Sequence, residues 1–121
     1  MKQLNIVKVY INNMNPILVF IDCQDKQEAE GISRILLKKR LVVCVNIITN
    51  PVHSLYFWPP KSKYIEDAQE IILLAKTFDE KWNEIEKTVS KIHSYDTPGI
   101  LAIPLSHVSK KYLAWMKKEI T

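Results

Sequence analysis

Glycine is scarce in this chain, and the scarcity excludes two common classes of nucleotide-binding site. The 121 residues include two glycines, Gly31 and Gly99. Rossmann and P-loop phosphate sites need several glycines at fixed offsets, because the backbone must approach the phosphates closely. Two glycines this far apart match neither pattern. Rossmann dinucleotide binding and P-loop chemistry are therefore excluded.

Arginine is equally scarce, although the chain is basic. Its 17 Lys and Arg against 13 Asp and Glu give a net charge of +4, but Arg34 and Arg40 are the only arginines. Nucleic-acid and phosphate sites favour arginine clusters, whereas dispersed lysines mainly give solubility. The densest basic run, residues 38–40, lies where a helix is predicted to end, and the helix dipole accounts for it. We expect no nucleic-acid partner.

The two cysteines, Cys23 and Cys44, are too few for a disulfide framework and form no CxxC pair. We therefore expect reduced thiols and a cytoplasmic location. Asparagines interrupt the apolar stretch near the N-terminus, and no run is long enough to cross a membrane, so neither a signal peptide nor a membrane span is predicted. With 47% apolar residues, the chain is long enough to build one hydrophobic core.

The hydrophobic pattern predicts the element order βαββαβα. Apolar runs of strand length alternate with segments of helical spacing that begin at capping residues. The predicted strands are 17–21, 41–58 with a bulge, 65–77 and 100–103, and the predicted helices are 25–40, 78–92 and 109–120. Capping boxes are predicted at Asp25 and at Thr77, and Ser109 is the predicted N-cap of the last helix.

Two right-handed βαβ crossovers that flank a hairpin predict the α+β ferredoxin-like split βαβ fold, with a C-terminal helix added. Strands one and three lie at the centre of the four-stranded antiparallel sheet in this arrangement, and both main helices cover one face. The domain spans residues 16–121, and residues 1–15 form an N-terminal extension. Because the second face also carries apolar residues, we expect it to be covered by copies of the chain in an oligomer.

The segment after the second predicted helix is the candidate ligand site. His93 begins a polar, turn-forming stretch with Tyr95 and Asp96 that leads into an edge strand, and loops at sheet corners often carry sites. Imidazole is a common ligand for divalent metals, so His93 is the first candidate ligand, with Lys76 as a nearby charge and Trp58 at the hairpin tip as a further lining residue. His53 and His107 have no acidic or thiol residue at ligand spacing.

The cysteines are weaker candidates for metal ligation. Cys44 lies within an apolar strand, which is typical of a small buried residue. Cys23 follows the first strand near a helix N-terminus, a position that lowers the pKa of a thiol. A nucleophilic enzyme using Cys44, His93 and Asp96 is disfavoured, because no glycine-flanked nucleophile turn or oxyanion segment accompanies them. We therefore expect no enzymatic activity.

Five ordered segments resemble the CutA divalent-cation-tolerance family over about residues 16–119. They are the strand at 41–47, Ser54-Leu55-Tyr56-Phe57-Trp58, Leu74-Ala75-Lys76-Thr77, His93-Ser94-Tyr95-Asp96-Thr97-Pro98 and Tyr112-Leu113-Ala114-Trp115. The resemblance implies a ferredoxin-like fold, a tight homotrimer built by sheet-to-sheet contact and a role in metal tolerance or signalling. It also implies binding of a divalent metal, with Cu²⁺ the first candidate and Zn²⁺ the second.

This chain departs from the family pattern near the implied metal site. Gly99 replaces the usual acid after the loop proline, Ile21 stands where some relatives have a copper-binding cysteine, and Ile92 stands where they have a second histidine. His93 alone of that set is retained. Two alternatives therefore remain open beside metal tolerance: a trimeric small-molecule sensor of the PII-like kind, and a scaffolding trimer without metal.

Overall fold

In the computed structural model, residues 14–120 are described, so residues 1–13 of the expected extension lie outside the described part. The sheet has four strands in the order β2-β3-β1-β4, and all of its pairings are antiparallel. The strands are β1 (Pro16–Cys23), β2 (Cys44–Phe57), β3 (Ile65–Phe78) and β4 (Ile100–Pro104), and the helices are α1 (Lys26–Lys38), α2 (Trp82–Ile92) and α3 (Lys110–Ile120). The predicted α+β fold and central strands are confirmed.

The core lies between the sheet and the two helices α1 and α2. Along β1, the odd-numbered residues are buried and the even-numbered ones partly buried, as the two-residue period of a strand requires. Ile85 and Val89 of α2 and Ile32 and Leu36 of α1 pack into the same cluster as the odd-numbered residues of β1. The spacing of three or four residues thus places each helix's apolar side on this face.

Helix α1 begins at the predicted capping box. The Asp25 carboxylate accepts a hydrogen bond from the Glu28 backbone N–H at 2.8 Å, and Glu28 Oε1 accepts one from the backbone N–H of Gln24 at 2.9 Å. Asp25 thus satisfies an N–H that the first helical turn leaves unpaired, and Glu28 satisfies the N–H of the residue before the cap. This reciprocal bonding fixes the Glu28 side chain above the end of β1.

The second predicted capping box is wrong. Thr77 belongs to β3, where its hydroxyl is buried and donates to the Leu41 carbonyl oxygen at 2.6 Å. Phe78 also belongs to the strand, and a 3₁₀ turn (Asp79–Lys81) without a side-chain cap precedes α2. A buried hydroxyl that bonds to a distant backbone group is a tertiary contact, so local spacing could not reveal it.

Strand β2 is regular only from Cys44, whereas the apolar run predicted it from residue 41. Leu41 donates its N–H to the Leu36 carbonyl and so continues the turn that ends α1. The predicted bulge is confirmed as a shift of register between Ile48 and Val52. Beyond it, β2 and β3 extend as a long hairpin that ends at exposed Trp58.

The second face of the sheet is partly covered by α3. Lys76 points to this face, and its Nζ lies 5.3 Å from the centre of the Tyr112 ring of α3. Met116 and Ile120 of the same helix pack in a second, smaller apolar cluster. Ser109 caps the helix as predicted, accepting from the Tyr112 N–H at 3.4 Å. In residues 14–120, no helix is long and apolar enough to span a bilayer.

Large apolar side chains on the rest of this face remain in contact with solvent. Leu101 and Ile103 of β4 are each about half exposed, and Ile48 of β2 is 43% exposed. Their registers place them beside Phe20, Leu18 and Ile72, which lie on the face away from α1 and α2. The single chain therefore leaves a continuous apolar surface across the sheet.

Candidate functional site

The ends of β1 and α2 and the start of α1 meet at His93, whose imidazole is fully buried. Its Nε2 lies 2.6 Å from the Asp22 carbonyl oxygen, and its Nδ1 lies 3.0 Å from the Tyr95 backbone N–H. A carbonyl can only accept and an amide N–H can only donate, so Nε2 carries the ring proton. Both ring nitrogens of His93 therefore have backbone partners.

Glu28 connects α1 to the same point. Its Oε2 accepts from the Ser94 N–H at 2.8 Å, and its Oε1, bonded to Gln24, lies 3.6 Å from His93 Nε2. Burial works to raise the pKa of this carboxyl, but the hydrogen bonds from Gln24 and Ser94 and the nearby imidazole outweigh it and lower the pKa. The site thus favours an ionised Glu28.

Cys23 completes a cluster of three possible metal donors. The Sγ of Cys23, a carboxylate oxygen of Glu28 and a ring nitrogen of His93 all lie within 4.8 Å of one another. Burial first, and then the neighbouring carboxylates, raise the pKa of the Cys23 thiol to about 12. The expected lowering of this pKa by the helix N-terminus is therefore wrong, because desolvation and negative charge dominate.

A cleft of about 570 Å³ opens on the other side of the His93 loop. It is lined by three acidic residues and three aromatic ones, among others: Asp22, Glu70, Asp96, Tyr56, Trp58 and Tyr95. Burial first, and then the nearby carboxylate of Glu70, raise the pKa of the Tyr95 phenol. Burial and the charge of Glu70 likewise raise the pKa of Asp22, while His93 opposes the rise.

In the wall of this cleft, Gly99 packs directly against Asp22, because glycine has no side chain. Its carbonyl accepts from the Asp22 N–H at 3.0 Å, and a Cβ on Gly99 would overlap Asp22 Oδ2. A larger residue at position 99 therefore requires the carboxylate to move. Asp22 thus occupies the space that a side chain on residue 99 would need.

The candidate residues from the sequence fall in three places. His93 and Cys23 lie in the buried cluster, and Tyr95, Asp96 and Trp58 line the cleft. Cys44 of β2 is paired with Lys76 of β3. Cys23 of β1 is paired with Ile71 of β3, so Lys76 and Cys44 lie five residues farther along β3 than the buried cluster. The expectation that Lys76 balances charge near the His93 loop is wrong, because that residue lies toward the opposite end of the strand.

Three functional candidates were missed by the sequence reasoning. Glu28 was interpreted only as a helix cap, and its second role depends on a contact with Ser94, 66 residues away. Asp22 and Glu70 did carry a signal, since each is an acidic residue next to an apolar strand run. A charged residue at such a position is costly unless it is paired or functional.

The other two histidines lie outside the cluster and are exposed. His53 Nε2 lies 3.0 Å from Asp67 Oδ2 on the neighbouring strand, an acidic neighbour that the linear spacing did not indicate. His107 Nδ1 lies 3.0 Å from the hydroxyl of Ser106. Neither belongs to a group of three or more donor side chains in residues 14–120.

Comparison with known proteins relates this chain to one family. Residues 17–119 match the model of the CutA1 divalent ion tolerance protein. The chain is 38% identical over 102 residues to the divalent-cation tolerance protein CutA of Archaeoglobus fulgidus, covering 84% of this chain and 95% of that one. It is 35% identical to the protein CutA homolog of Danio rerio, covering 86% and 67%.

Solved structures agree with the sequence comparison. The structure described as periplasmic divalent cation tolerance protein CutA from Archaeoglobus fulgidus superposes with a TM-score of 0.80 at 37% identity, covering 88% of this chain and 99% of that one. CutA from Xylella fastidiosa gives a TM-score of 0.80 at 36% identity, with the same coverage. The similarity extends over the sheet and all three helices.

Proposed function

This chain belongs to the CutA1 divalent ion tolerance family, and we propose that it serves divalent-cation tolerance by binding a transition-metal ion at the cluster of Cys23, Glu28 and His93. The observation that carries the proposal is the convergence of these three donors within 4.8 Å. Thiol and imidazole donors select copper and zinc over magnesium or calcium, and the Irving–Williams order places Cu²⁺ before Zn²⁺. The ion is cargo in this proposal, and the chain has a binding role without a reaction.

The donor set fits such an ion, but the cluster has to contract around it. Tetrahedral ligands at bond lengths of about 2.0–2.3 Å lie about 3.3–3.8 Å apart. Glu28 Oε1 and His93 Nε2 already have this separation at 3.6 Å, whereas the cluster as a whole spans up to 4.8 Å. Donors that are 4.8 Å apart therefore have to approach each other by about 1 Å.

Existing hydrogen bonds compete with the ion and keep its affinity low. An ion on His93 Nε2 displaces the bond to the Asp22 carbonyl, and the ring proton then moves to Nδ1, where it faces the Tyr95 N–H. The Cys23 thiol, with its pKa raised to about 12, also has to lose a proton. Binding therefore releases protons and strengthens as the pH rises.

The test is calorimetric titration of the metal-free protein with Cu²⁺ and, separately, with Zn²⁺, which cannot oxidise the thiol. Cys23→Ser and Glu28→Gln should each weaken binding at least about tenfold, since each loses one ligand of three. Cys44→Ser is the matched control and should leave binding unchanged. Co²⁺ should show a thiolate charge-transfer band that is lost in Cys23→Ser.

Two results would overturn the assignment of this site. One is Cu²⁺ and Zn²⁺ binding that persists unchanged in both Cys23→Ser and Glu28→Gln, which would place the ion elsewhere. The other is the absence of any binding at sub-millimolar free metal. His93→Ala is not a sufficient test alone, because His93 also joins two backbone segments.

We further propose that the chain forms a homotrimer through the apolar part of the sheet face opposite α1 and α2 that α3 leaves uncovered. The support is the continuous apolar surface that includes Leu101, Ile103 and Ile48, together with the family resemblance. Burying such a surface between copies removes its apolar area from water. Light scattering should give about three times the chain mass of 14.1 kDa. A monomer at micromolar concentration would contradict the proposal.

A cytoplasmic location is part of the same proposal. It is supported by the two cysteines, both of which are free thiols, as expected in a reducing compartment. The relative from Archaeoglobus fulgidus carries the description periplasmic, so location has to be measured for this chain. Fractionation of cells expressing the full chain, with compartment markers, is the direct measurement.

A further inference from the structure

The cleft beside the His93 loop has a lining that differs from the rest of this basic protein. The chain has a net charge of +4, yet three of the lining residues are acidic. None of the lining residues that the structure describes is a lysine, arginine or histidine. The cleft is therefore a local region of negative charge on a positive molecule, which attracts cations.

Two of the acidic residues are held side by side by the sheet register. Asp22 of β1 is paired with Ile72, and Glu70 lies two residues before Ile72 on β3. Residues two apart on a strand share a face, so both carboxylates lie on the sheet face opposite α1 and α2. Glu70 lines the cleft and is only 8% exposed, so its carboxylate has little contact with bulk water.

Aromatic rings supply the remaining part of the lining. Tyr56 and Trp58 come from the end of the hairpin, and Tyr95 comes from the loop after α2. Trp58 is about half exposed, although it lines the cleft, so part of its ring surface is open to a ligand. The face of an aromatic ring attracts a cation, most strongly when the cation carries organic groups that leave it weakly hydrated.

The volume of the cleft separates an organic cation from a metal ion. At about 570 Å³, it has the size of sites that enclose small organic molecules. A hard metal ion is coordinated by six or more oxygens at about 2.0–2.6 Å, and the faces of the aromatic rings supply none. Carboxylates at one end and rings at the other match a molecule that has an ammonium group and an apolar body.

We propose that this cleft binds a small organic cation, an amine in its ammonium form, with the ammonium group at Asp22 and Glu70 and its apolar body against Tyr56 and Trp58. Asp96, at the exposed rim, adds attraction without being enclosed. This site is separate from the buried metal cluster, because its ligand-facing groups include neither Cys23 nor Glu28.

The experiment compares four probes of similar size on the full chain: benzylamine, benzyltrimethylammonium, benzyl alcohol and benzoate. Binding is followed by calorimetry and by the change in tryptophan fluorescence. Both cations should bind at least about tenfold more tightly than the alcohol, because the alcohol has no charge to pair with the carboxylates. Benzoate should not bind, because the acidic lining repels its carboxylate.

Two charge-neutralising variants locate the site. Glu70→Gln keeps the size and shape of the side chain, and Asp96→Asn changes an exposed residue, so both should fold. Each should weaken benzylamine binding, Glu70→Gln by about tenfold or more and Asp96→Asn by less. The matched control is Glu66→Gln, an exposed residue of the same strand that does not line the cleft and should change affinity less than twofold.

The aromatic contribution has its own pair of variants. Trp58→Leu should weaken binding of benzyltrimethylammonium and abolish the fluorescence change. Trp115→Leu, an exposed tryptophan on α3 outside the cleft lining, should do neither.

Four outcomes would overturn the proposal. The first is the absence of saturable amine binding up to about 10 mM, which is the weakest affinity expected of a small fragment. The second is equal binding of the alcohol and the amine, and the third is an equal effect of Glu66→Gln and Glu70→Gln. The fourth is saturable binding of Mn²⁺ without amine binding. The last result would assign the acidic residues to a hard metal ion instead. Loss of Zn²⁺ binding in Cys23→Ser bears on the metal cluster only and leaves this proposal intact.

Discussion

Replacing His93 should destabilise the protein far more than replacing a surface histidine. The imidazole is fully buried and bonds to the Asp22 carbonyl at 2.6 Å and to the Tyr95 N–H at 3.0 Å. Its loss leaves both backbone groups without this partner in a site closed to water. Each buried group left unsatisfied costs about 1–3 kcal/mol, so His93→Ala should lower the free energy of unfolding by about 3–5 kcal/mol, with lost packing included.

Two amide variants separate the hydrogen bonds. In His93→Asn, the amide oxygen stands near the position of Nδ1 and can accept from Tyr95. In His93→Gln, the longer side chain brings an N–H near the position of Nε2 and can donate to Asp22. Each variant keeps one bond of two, so each should lose about half as much stability as His93→Ala. A matched control is His107→Ala, which removes an exposed imidazole.

The assay is urea denaturation at pH 7 and one fixed protein concentration, with chelator present so that metal binding does not contribute. The reasoning would be refuted if His93→Ala unfolded within about 0.5 kcal/mol of the parent protein, the range of ordinary surface substitutions. It would also fail if the Asn and Gln variants were as unstable as the Ala variant. In that case the volume of the ring, rather than its two hydrogen bonds, would hold the segments together.

Three further predictions concern the same corner of the fold. Folding lowers the pKa of Glu28, so the ionised carboxylate stabilises the protein at a pH above 4.5, the usual pKa of a glutamate, and this stabilisation is lost as the pH falls through the pKa of the folded state. Glu28→Gln should therefore make the free energy of unfolding less dependent on pH in the acid range. Buried Cys23, with its thiol pKa raised to about 12, should resist a thiol reagent in the native protein, so any native reactivity should disappear in Cys44→Ser and persist in Cys23→Ser. Gly99→Ala should lower the melting temperature by an amount equivalent to about 1–3 kcal/mol, and Asp22→Ala should suppress most of that loss; additive effects would contradict the close approach of the two residues.

Local patterns predicted most of the fold. The strands, the helices and the order of the sheet follow from apolar spacing and from connections that have one preferred handedness. The cap at Asp25 was predicted because its partner, the Glu28 N–H, is three residues away. Thr77 has the residue type and spacing of a cap, but its hydroxyl bonds to Leu41, which local spacing does not encode.

The candidate site was predicted only in outline. The polar segment at 93–98 marked the right loop, since turn-forming residues after a helix are a local signal. The chemistry of that loop depends on what β1 and α1 bring to it. Cys23 illustrates the difference: its position before a helix suggested a low thiol pKa, whereas burial beside Glu28 raises that pKa to about 12.

Sequence by itself thus determined the elements, their order and the loop at which they meet, because these depend on residues close together along the chain. Tertiary structure alone decided the rest. It gave both nitrogens of His93 backbone partners, one of them in β1, placed Glu28 against Ser94, and set Asp22 beside Glu70. Contacts between distant residues follow from sheet register and helix packing, where a shift of one residue turns a side chain to the other face.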